Sequence, residues 1–404
     1  MHFKYDYITF GLILVLMLVG IVTIYSATQS IAGETSDLFF KQLLWTGLGI
    51  TTLITMSFVP IRTLHRLAYI LYGLSLFGLV LVMFIGRTGQ GAERWLGFGF
   101  LHLQPSEFTK ITSVLAISKL LSEKYADVNR FKYFVLSTGI LLVPALLIVN
   151  QPDLGTSLIF LGLIIPLLFW AGLNWFYIFV ILTPFLTIIA SFNFWTFLLL
   201  MLIISFMLFY SRRKPAIIAA VFILNISVGI ITPYLWGQLR PYQQQRIVTF
   251  INPEKDPKGS GYQIIQSQVA IGSGGIIGKG YLNGSQTHLR FLPAQHTDFI
   301  FSVIGEEFGF LGSTTVLLLF LALILRLIQL AALVRDQFES MIIIGFLTII
   351  FLHVVINIGM TIGMAPVTGL PLPFLSYGGS FLLTNMTMMG IVISIARNKI
   401  GLTL

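Results

Sequence analysis

Unbroken apolar runs of about 20 residues recur along the whole chain, each long enough to cross a hydrocarbon layer of roughly 30 Å. Charged residues make up only 10% of the sequence against 56% hydrophobic, more apolar surface than a water-soluble globule can hide. In lipid every backbone N–H and C=O needs a partner within the protein, which leaves helices and closed barrels. A barrel would alternate polar and apolar residues over short segments, and these Leu-, Ile- and Phe-rich runs do not, so strands are disfavoured. The fold class that follows is all-α, a polytopic transmembrane helix bundle forming a single membrane domain, 1–404. Twelve helices are expected, over residues 8–27, 40–59, 66–86, 106–121, 133–149, 154–171, 175–191, 194–210, 215–235, 299–325, 340–361 and 381–396. The turn around Phe192 and Asn193 is so short that 175–191 and 194–210 read equally as two helices or one buried hairpin.

The formal net charge of +9 would suit a nucleic-acid binder, but the 24 Lys and Arg residues sit between the apolar runs. With the amino terminus taken as inside, alternate short loops hold Lys4; Arg62 and Arg66; Lys119, Lys124, Arg130 and Lys132; Arg212, Arg213 and Lys214; Arg326 and Arg335; Arg397 and Lys399. The intervening short loops hold only Lys41, Arg87 and Arg94. This is the positive-inside pattern: it puts both termini in the cytoplasm and points to membrane lipid, with no nucleic-acid partner. The first run, Ile8 to Tyr25, has no small-residue cleavage site before Asp37 and reads as a retained helix. The absence of cysteine excludes disulfides, thiolate metal sites and cysteine nucleophiles.

Parity places the one long polar segment, 237–297, outside, between the ninth and tenth helices, and a loop of that length is functional or disordered. Within it the spacing of Ile264, Ile265, Val269 and Ile271 predicts an amphipathic helix lying on the membrane surface. The run GSGGIIGKG resembles a phosphate loop only superficially. Ser273 stands where the first glycine belongs, and Gly280 replaces the hydroxyl residue after Lys279.

Of the 15 carboxylates, five stand out: Glu107, Asp153, Asp298, Glu306 and Glu307. Ionisable groups at membrane depth are costly, so each is a functional candidate. Each also has a plainer reading. Thr297 or Asp298 would cap the tenth helix, and Glu306 and Glu307 would pair with basic groups. Glu107 and Lys110, three apart on one helix face, would neutralise each other. Asp153 would cap the sixth helix beside Pro152, and His353 and Asn357 would make interhelical hydrogen bonds. No His or carboxylate pair has metal-ligand spacing. PLPFLSYGGS, 371–380, breaks the membrane pattern and survives at that depth only under cover of protein or a watery cavity, which it would rim with Asp298, Arg94 and Glu107.

At these motifs the chain resembles the SEDS family, the shape, elongation, division and sporulation proteins. The strings that carry the resemblance are RWLGFGFLHLQPSEFTKI, NQPDLGTS, QRIVTFINPEKDPKGSGYQIIQSQVAIGSGGIIGKG, FLPAQHTDFIFSVIGEEFG and PLPFLSYGGS, in the expected order from Arg94 to Ser380. The resemblance implies a peptidoglycan glycosyltransferase that joins lipid II units into glycan strands at the outer face of the bacterial cytoplasmic membrane. It matches Asp298 to the family's catalytic aspartate, and Glu107 and Lys110 to polar residues of its central cavity. Gln151, Asp153, Arg246, His296, Thr297, Ser376 and Tyr377 are the further candidate substrate contacts. Asp298 would act as general base. Arg94, Lys110, Arg246 and Arg290 would be candidates for the leaving diphosphate, with or without a divalent cation such as Mg or Mn.

The partner implied is a class B penicillin-binding protein, within an elongation complex that includes MreC and MreD. Motif details lean to elongation and rod-shape maintenance; a septal polymerase and a lipid II flippase are the alternatives. The chain departs from the family in having Ala294 where many relatives carry an acidic residue. It also departs in its twelve helices, which would be a ten-helix core plus an apolar pair.

Overall fold

The computed structural model describes residues 6–29, 35–85, 87–89, 92–98, 101–211, 213–239, 244–245, 248–250, 252–255, 259–289 and 291–400. Its helices are α1 (Tyr7–Gln29), α2 (Thr35–Phe58), α3 (Ile61–Ile85), α4 (Pro105–Leu121), α5 (Phe131–Asn150), α6 (Leu154–Trp170) and α7 (Trp175–Ala190). There follow α8 (Phe194–Tyr210), α9 (Pro215–Gln238), α10 (Ser260–Ser273), α11 (Ser285–His288), α12 (Ile300–Leu333), α13 (Gln337–Thr361) and α14 (Gly379–Ile400). Each expected apolar segment falls on one of these. Among the described residues, 8 helices are long and apolar enough to cross a membrane, namely α1, α2, α3, α5, α9, α12, α13 and α14, while α6, α7 and α8 are apolar but shorter.

Strands do occur, against the expectation. Arg87–Gly89, Ala92–Phe98 and Leu101–Leu103 form a 3-stranded antiparallel sheet between α3 and α4, with Gly97 opposite His102. The segment is polar and glycine-rich and lies between apolar runs, so its backbone groups pair with one another locally rather than in a helix.

The described residues gather into two compact units, Met1–Leu167 with Thr249–Leu404, and Leu168–Val248. In the first, α2 packs along α14, α3 along α4, and α12 along α13. A Cβ on Gly390 of α14 would lie 2.6 Å from the Leu53 carbonyl of α2, so only glycine permits that approach. Pro144 interrupts α5 and offers no N–H to the Ile140 carbonyl one turn earlier; the Tyr72 hydroxyl of α3 donates to that carbonyl instead, at 2.9 Å. The second unit holds α7, α8 and α9, including the apolar pair read as additional to the family core. There, buried Asn225 of α9 accepts from Thr187 at 2.8 Å and donates to Thr183 at 3.2 Å, both on α7.

Two further features belong to the first unit. The α12 helix is broken at Gly309, whose φ of 64° and ψ of −157° interrupt its hydrogen-bond ladder. The freed carbonyls of Glu306 and Glu307 accept from the backbones of Lys279 and Gly280, each at 3.0 Å, and Phe310 N–H donates to Gly275 at 2.9 Å. Gly278, at φ 89°, lies so close that a Cβ would stand 2.1 Å from the Glu307 carbonyl. The glycines of GSGGIIGKG thus make a backbone seam with a broken helix.

The amphipathic helix in the long polar segment is present as α10, and its apolar residues divide: Ile264 packs against protein, while Val269 stays 44% exposed. Ile264 is buried with Leu292, Phe299, Met360 and Val367. On the same face the Ser267 hydroxyl bonds the Ser302 hydroxyl and the Thr361 carbonyl, each at 2.6 Å.

Candidate active site

Four stretches far apart in sequence meet in one cavity of about 350 Å³ within the first unit. The turn 293–299 ahead of α12 contributes His296, Thr297 and Asp298; the stretch between α13 and α14 contributes Gly369, Leu370, Pro371 and Tyr377. Gln104 and Glu107 at the start of α4, with Asp153 and Thr156 at the start of α6, form the facing wall.

The Asp298 turn is tightly wound. The backbone N–H groups of Thr297 and Asp298 both donate to the Ala294 carbonyl at 3.1 Å, and Ala294 itself sits at φ 53°, a conformation unfavourable for a residue with a Cβ. The N-cap position of α12 is Phe299, without a side-chain cap, and the Thr297 hydroxyl donates to Ala294. The turn is stitched to PLPFLSYGGS: the Ser376 hydroxyl donates to the Thr297 carbonyl at 2.6 Å and Tyr377 N–H to the His296 carbonyl at 2.9 Å. Asn357 of α13 completes the clamp, its amide nitrogen donating to the Asp298 carbonyl at 2.8 Å and to the Leu370 carbonyl at 2.7 Å. Half-buried Asp298 is thereby presented to the cavity from a fixed backbone, with Gly369 beside it: a Cβ there would lie 3.5 Å from Asp298 Oδ2.

On the facing wall, Asp153 caps α6 as expected, accepting from Thr156 N–H at 3.1 Å and from the Thr156 hydroxyl at 2.9 Å. It also accepts from Gln104 at 3.2 Å. The plain reading and the site reading of Asp153 are therefore compatible. Glu107 pairs with Lys110 at 2.9 Å, as the i,i+3 spacing predicts. Lys110 is wholly enclosed: its ammonium also donates to His353 Nε2 at 3.1 Å and stands 5.5 Å from the centre of the Phe381 ring. The other Glu107 oxygen is buried with no hydrogen-bond partner among the described residues.

Burial lowers the pKa of His296, which leaves its ring neutral, and raises that of the Tyr377 phenol. The two rings meet edge to face at 5.7 Å.

Asp298, Glu107, Asp153, His296, Thr297 and Tyr377 thus share the cavity. Ser376 and Lys110 stand behind the wall. Gln151 turns away, its amide donating to the Leu79 carbonyl of α3 at 2.8 Å. The Arg94 side chain, Arg246 and Arg290 lie outside the described residues. Glu306 binds Lys279 at 2.8 Å, as expected of a paired carboxylate, and Glu307 accepts from the Ser26 hydroxyl. Gln104 and Gly369 were not among the expected residues. Gln104 lies inside a quoted motif just ahead of Pro105, which was its only signal, and Gly369 had none.

The chain matches the sequence profile of the FtsW, RodA and SpoVE cell cycle proteins over residues 6–194 and 176–400. It belongs to that family. The two matches overlap at 176–194, within the segment where the additional apolar pair was expected. As a SEDS protein it has full-length relatives of several kinds. It is 34% identical to the peptidoglycan glycosyltransferase RodA of Treponema pallidum, covering 98% of each chain. It is 35% identical to the peptidoglycan glycosyltransferase MrdB of Escherichia coli K12, over 96% of this chain and 92% of that one. To the stage V sporulation protein E of Bacillus subtilis the identity is also 35%, over 95% and 94%. Its fold is similar to a chain of a solved structure described as "Structural coordination of polymerization and crosslinking by a peptidoglycan synthase complex". The TM-score is 0.75 and the identity 30%, over 98% of each chain.

Proposed function

We propose that this SEDS protein is a peptidoglycan glycosyltransferase that polymerises lipid II at the outer face of the cytoplasmic membrane, with Asp298 as general base. The observation that carries the reading is the convergence, on one cavity, of Asp298 with three other distant stretches, in a chain aligned end to end with named peptidoglycan glycosyltransferases. In the reaction a sugar hydroxyl attacks the anomeric carbon of a second sugar. A C–O bond forms there as the bond to the polyprenyl diphosphate breaks, and the hydroxyl proton passes to the Asp298 carboxylate. A positioned base of this kind contributes about 10² to 10⁴ in rate. The tight backbone clamp on Asp298 supplies the positioning, and the neutral His296 ring beside it adds no competing positive charge.

Among the described residues, no three His, Asp or Glu side chains gather to hold a metal ion. A divalent cation taking part would be held by one or two of Asp298, Glu107 and Asp153 together with diphosphate oxygens. Stabilisation of the diphosphate is assigned to Arg94, Arg246 and Arg290. Lys110 is withdrawn from that role by its complete burial and its two partners.

The elongation role rests on the motif details of NQPDLGTS and PLPFLSYGGS, since the sporulation relative stands level in identity with MrdB. A class B penicillin-binding protein, with MreC and MreD, is the proposed setting, supported by the likeness to a chain of a synthase complex. Both termini are placed in the cytoplasm on the positive-inside pattern.

The test is glycan polymerisation from purified lipid II by the wild type and Asp298→Asn, each with and without the partner synthase. Polymer from the wild type alone supports the reading. Equal polymer from both removes Asp298 as base, and polymer from neither under any pairing moves lipid II transport to the front. Rescue of rod shape rather than of septation in a depleted strain tests the elongation role.

A further inference from the structure

His353 and Asn357 lie one turn apart on the same face of α13, and between them they reach three parts of the cavity wall. Asn357 holds the Asp298 and Leu370 carbonyls together. His353, fully buried, lies 3.1 Å through Nδ1 from the carbonyl of Pro371, the next residue along, and 3.1 Å through Nε2 from the Lys110 ammonium. A carbonyl accepts only, so Nδ1 carries the proton; an ammonium donates only, so Nε2 carries the lone pair. One tautomer alone satisfies both contacts, the neutral Nδ1–H form. Lys110 in turn holds one oxygen of Glu107 at 2.9 Å, a side chain that lines the cavity together with Asp298.

We infer that His353 is a positioning residue for the transfer: it ties the Pro371 carbonyl to the Lys110–Glu107 pair, and with Asn357 it holds Glu107 and the backbone of Asp298 on one frame. The inference rests on the glycosyltransferase reading above. It adds a residue that touches neither the reacting atoms nor the cavity. Displacement of reacting groups by about 1 Å costs on the order of 10² in rate, so loosening this frame acts on kcat more than on KM.

The experiment compares His353→Asn, His353→Gln and His353→Phe in the full-length protein with lipid II, alongside wild type and Asp298→Asn, and records kcat, KM and melting temperature in detergent. An Asn amide keeps the donor to Pro371 and a Gln amide keeps the acceptor for Lys110, whereas Phe keeps the ring volume and neither bond. Positioning by hydrogen bonds predicts a kcat loss of roughly 10- to 100-fold for Phe and smaller losses for the two amides, with KM for lipid II changed much less. Space-filling predicts the reverse order, with Phe mildest, and that order overturns the inference, as does a loss confined to KM. Nitrogen NMR of the wild-type imidazole gives a reading independent of how the variants fold: an Nε2–H tautomer or an imidazolium at neutral pH overturns it. If wild type and Asp298→Asn polymerise alike, the function reading falls and this one with it. If they differ while all His353 variants match wild type, only this inference falls.

Discussion

Glu306 carries a prediction whose size can be worked from its contacts. Its carboxylate is fully buried and accepts from Lys279 Nζ at 2.8 Å, Gln286 N–H at 2.8 Å, Thr287 N–H at 3.0 Å and the Thr287 hydroxyl at 2.8 Å. It thereby anchors α11 to the broken helix α12. In Glu306→Ala, Lys279 reaches water because its side chain is 27% exposed, but buried Thr287 is left with two donors and no acceptor. At about 1.5 kcal/mol for each orphaned buried donor the loss is about 3 kcal/mol of local stability, or roughly 100-fold in the equilibrium for opening. Glu306→Gln keeps one acceptor oxygen and loses about half of that. The assay is hydrogen–deuterium exchange of the protein in detergent, read on peptides covering 283–289 and, as internal control, on peptides from α12 beyond the break. Exchange of the Gln286 and Thr287 amides should accelerate about 100-fold in the Ala variant and about 10-fold in the Gln variant, with the control peptides unchanged. Wild-type exchange at 283–289 in Glu306→Ala would refute the claim that this carboxylate anchors α11.

Three further expectations follow from the same kind of reasoning. Burial holds His296 below its ordinary value of 6.5, so as the pH falls through that value the unfolded chain takes up a proton that the native ring does not. The stability contributed by the neutral ring is intact above the ordinary value and declines as the pH falls toward the native pKa, so the melting temperature of His296→Phe should fall less than that of wild type between about pH 7 and 5. Gly278→Ala meets both a positive φ of 89° and the Glu307 carbonyl at 2.1 Å, and should destabilise the seam by at least about 2 kcal/mol, seen as faster exchange across 274–280. Tyr72→Phe strips the donor from the Ile140 carbonyl and should cost about 1 kcal/mol in wild type but almost nothing alongside Pro144→Ala, which restores the missing N–H; a double-mutant cycle on thermal unfolding measures the difference.

The helical architecture could be read from the chain because lipid leaves a backbone few choices. Wherever an apolar run is long enough, its N–H and C=O groups must bond within the run, so length and composition alone place α1 to α9 and α12 to α14. The i,i+3 spacing of Glu107 and Lys110 and the capping position of Asp153 are equally local, and both contacts are present. Asp298, Glu107, Asp153 and Tyr377 were singled out as costly or irregular residues at the expected depth and by family resemblance, and they do share one cavity.

What tertiary structure alone decided is where each polar group turned once its segment was placed. Nothing in NQPDLGTS distinguishes Gln151, which faces Leu79, from Asp153, which faces the cavity. Lys110 reads as a cation available to a diphosphate until His353, 243 residues away, is seen to close over it. The amphipathic pattern of α10 specifies apolar positions but not what covers each, and Ile264 came to pack against protein while Val269 stayed exposed. Asn357 became the clamp on Asp298 because the Asp298 and Leu370 carbonyls lie within 3 Å of one side chain. A hydrogen bond is decided by tenths of an ångström, and such distances arise only when segments remote in sequence are packed together.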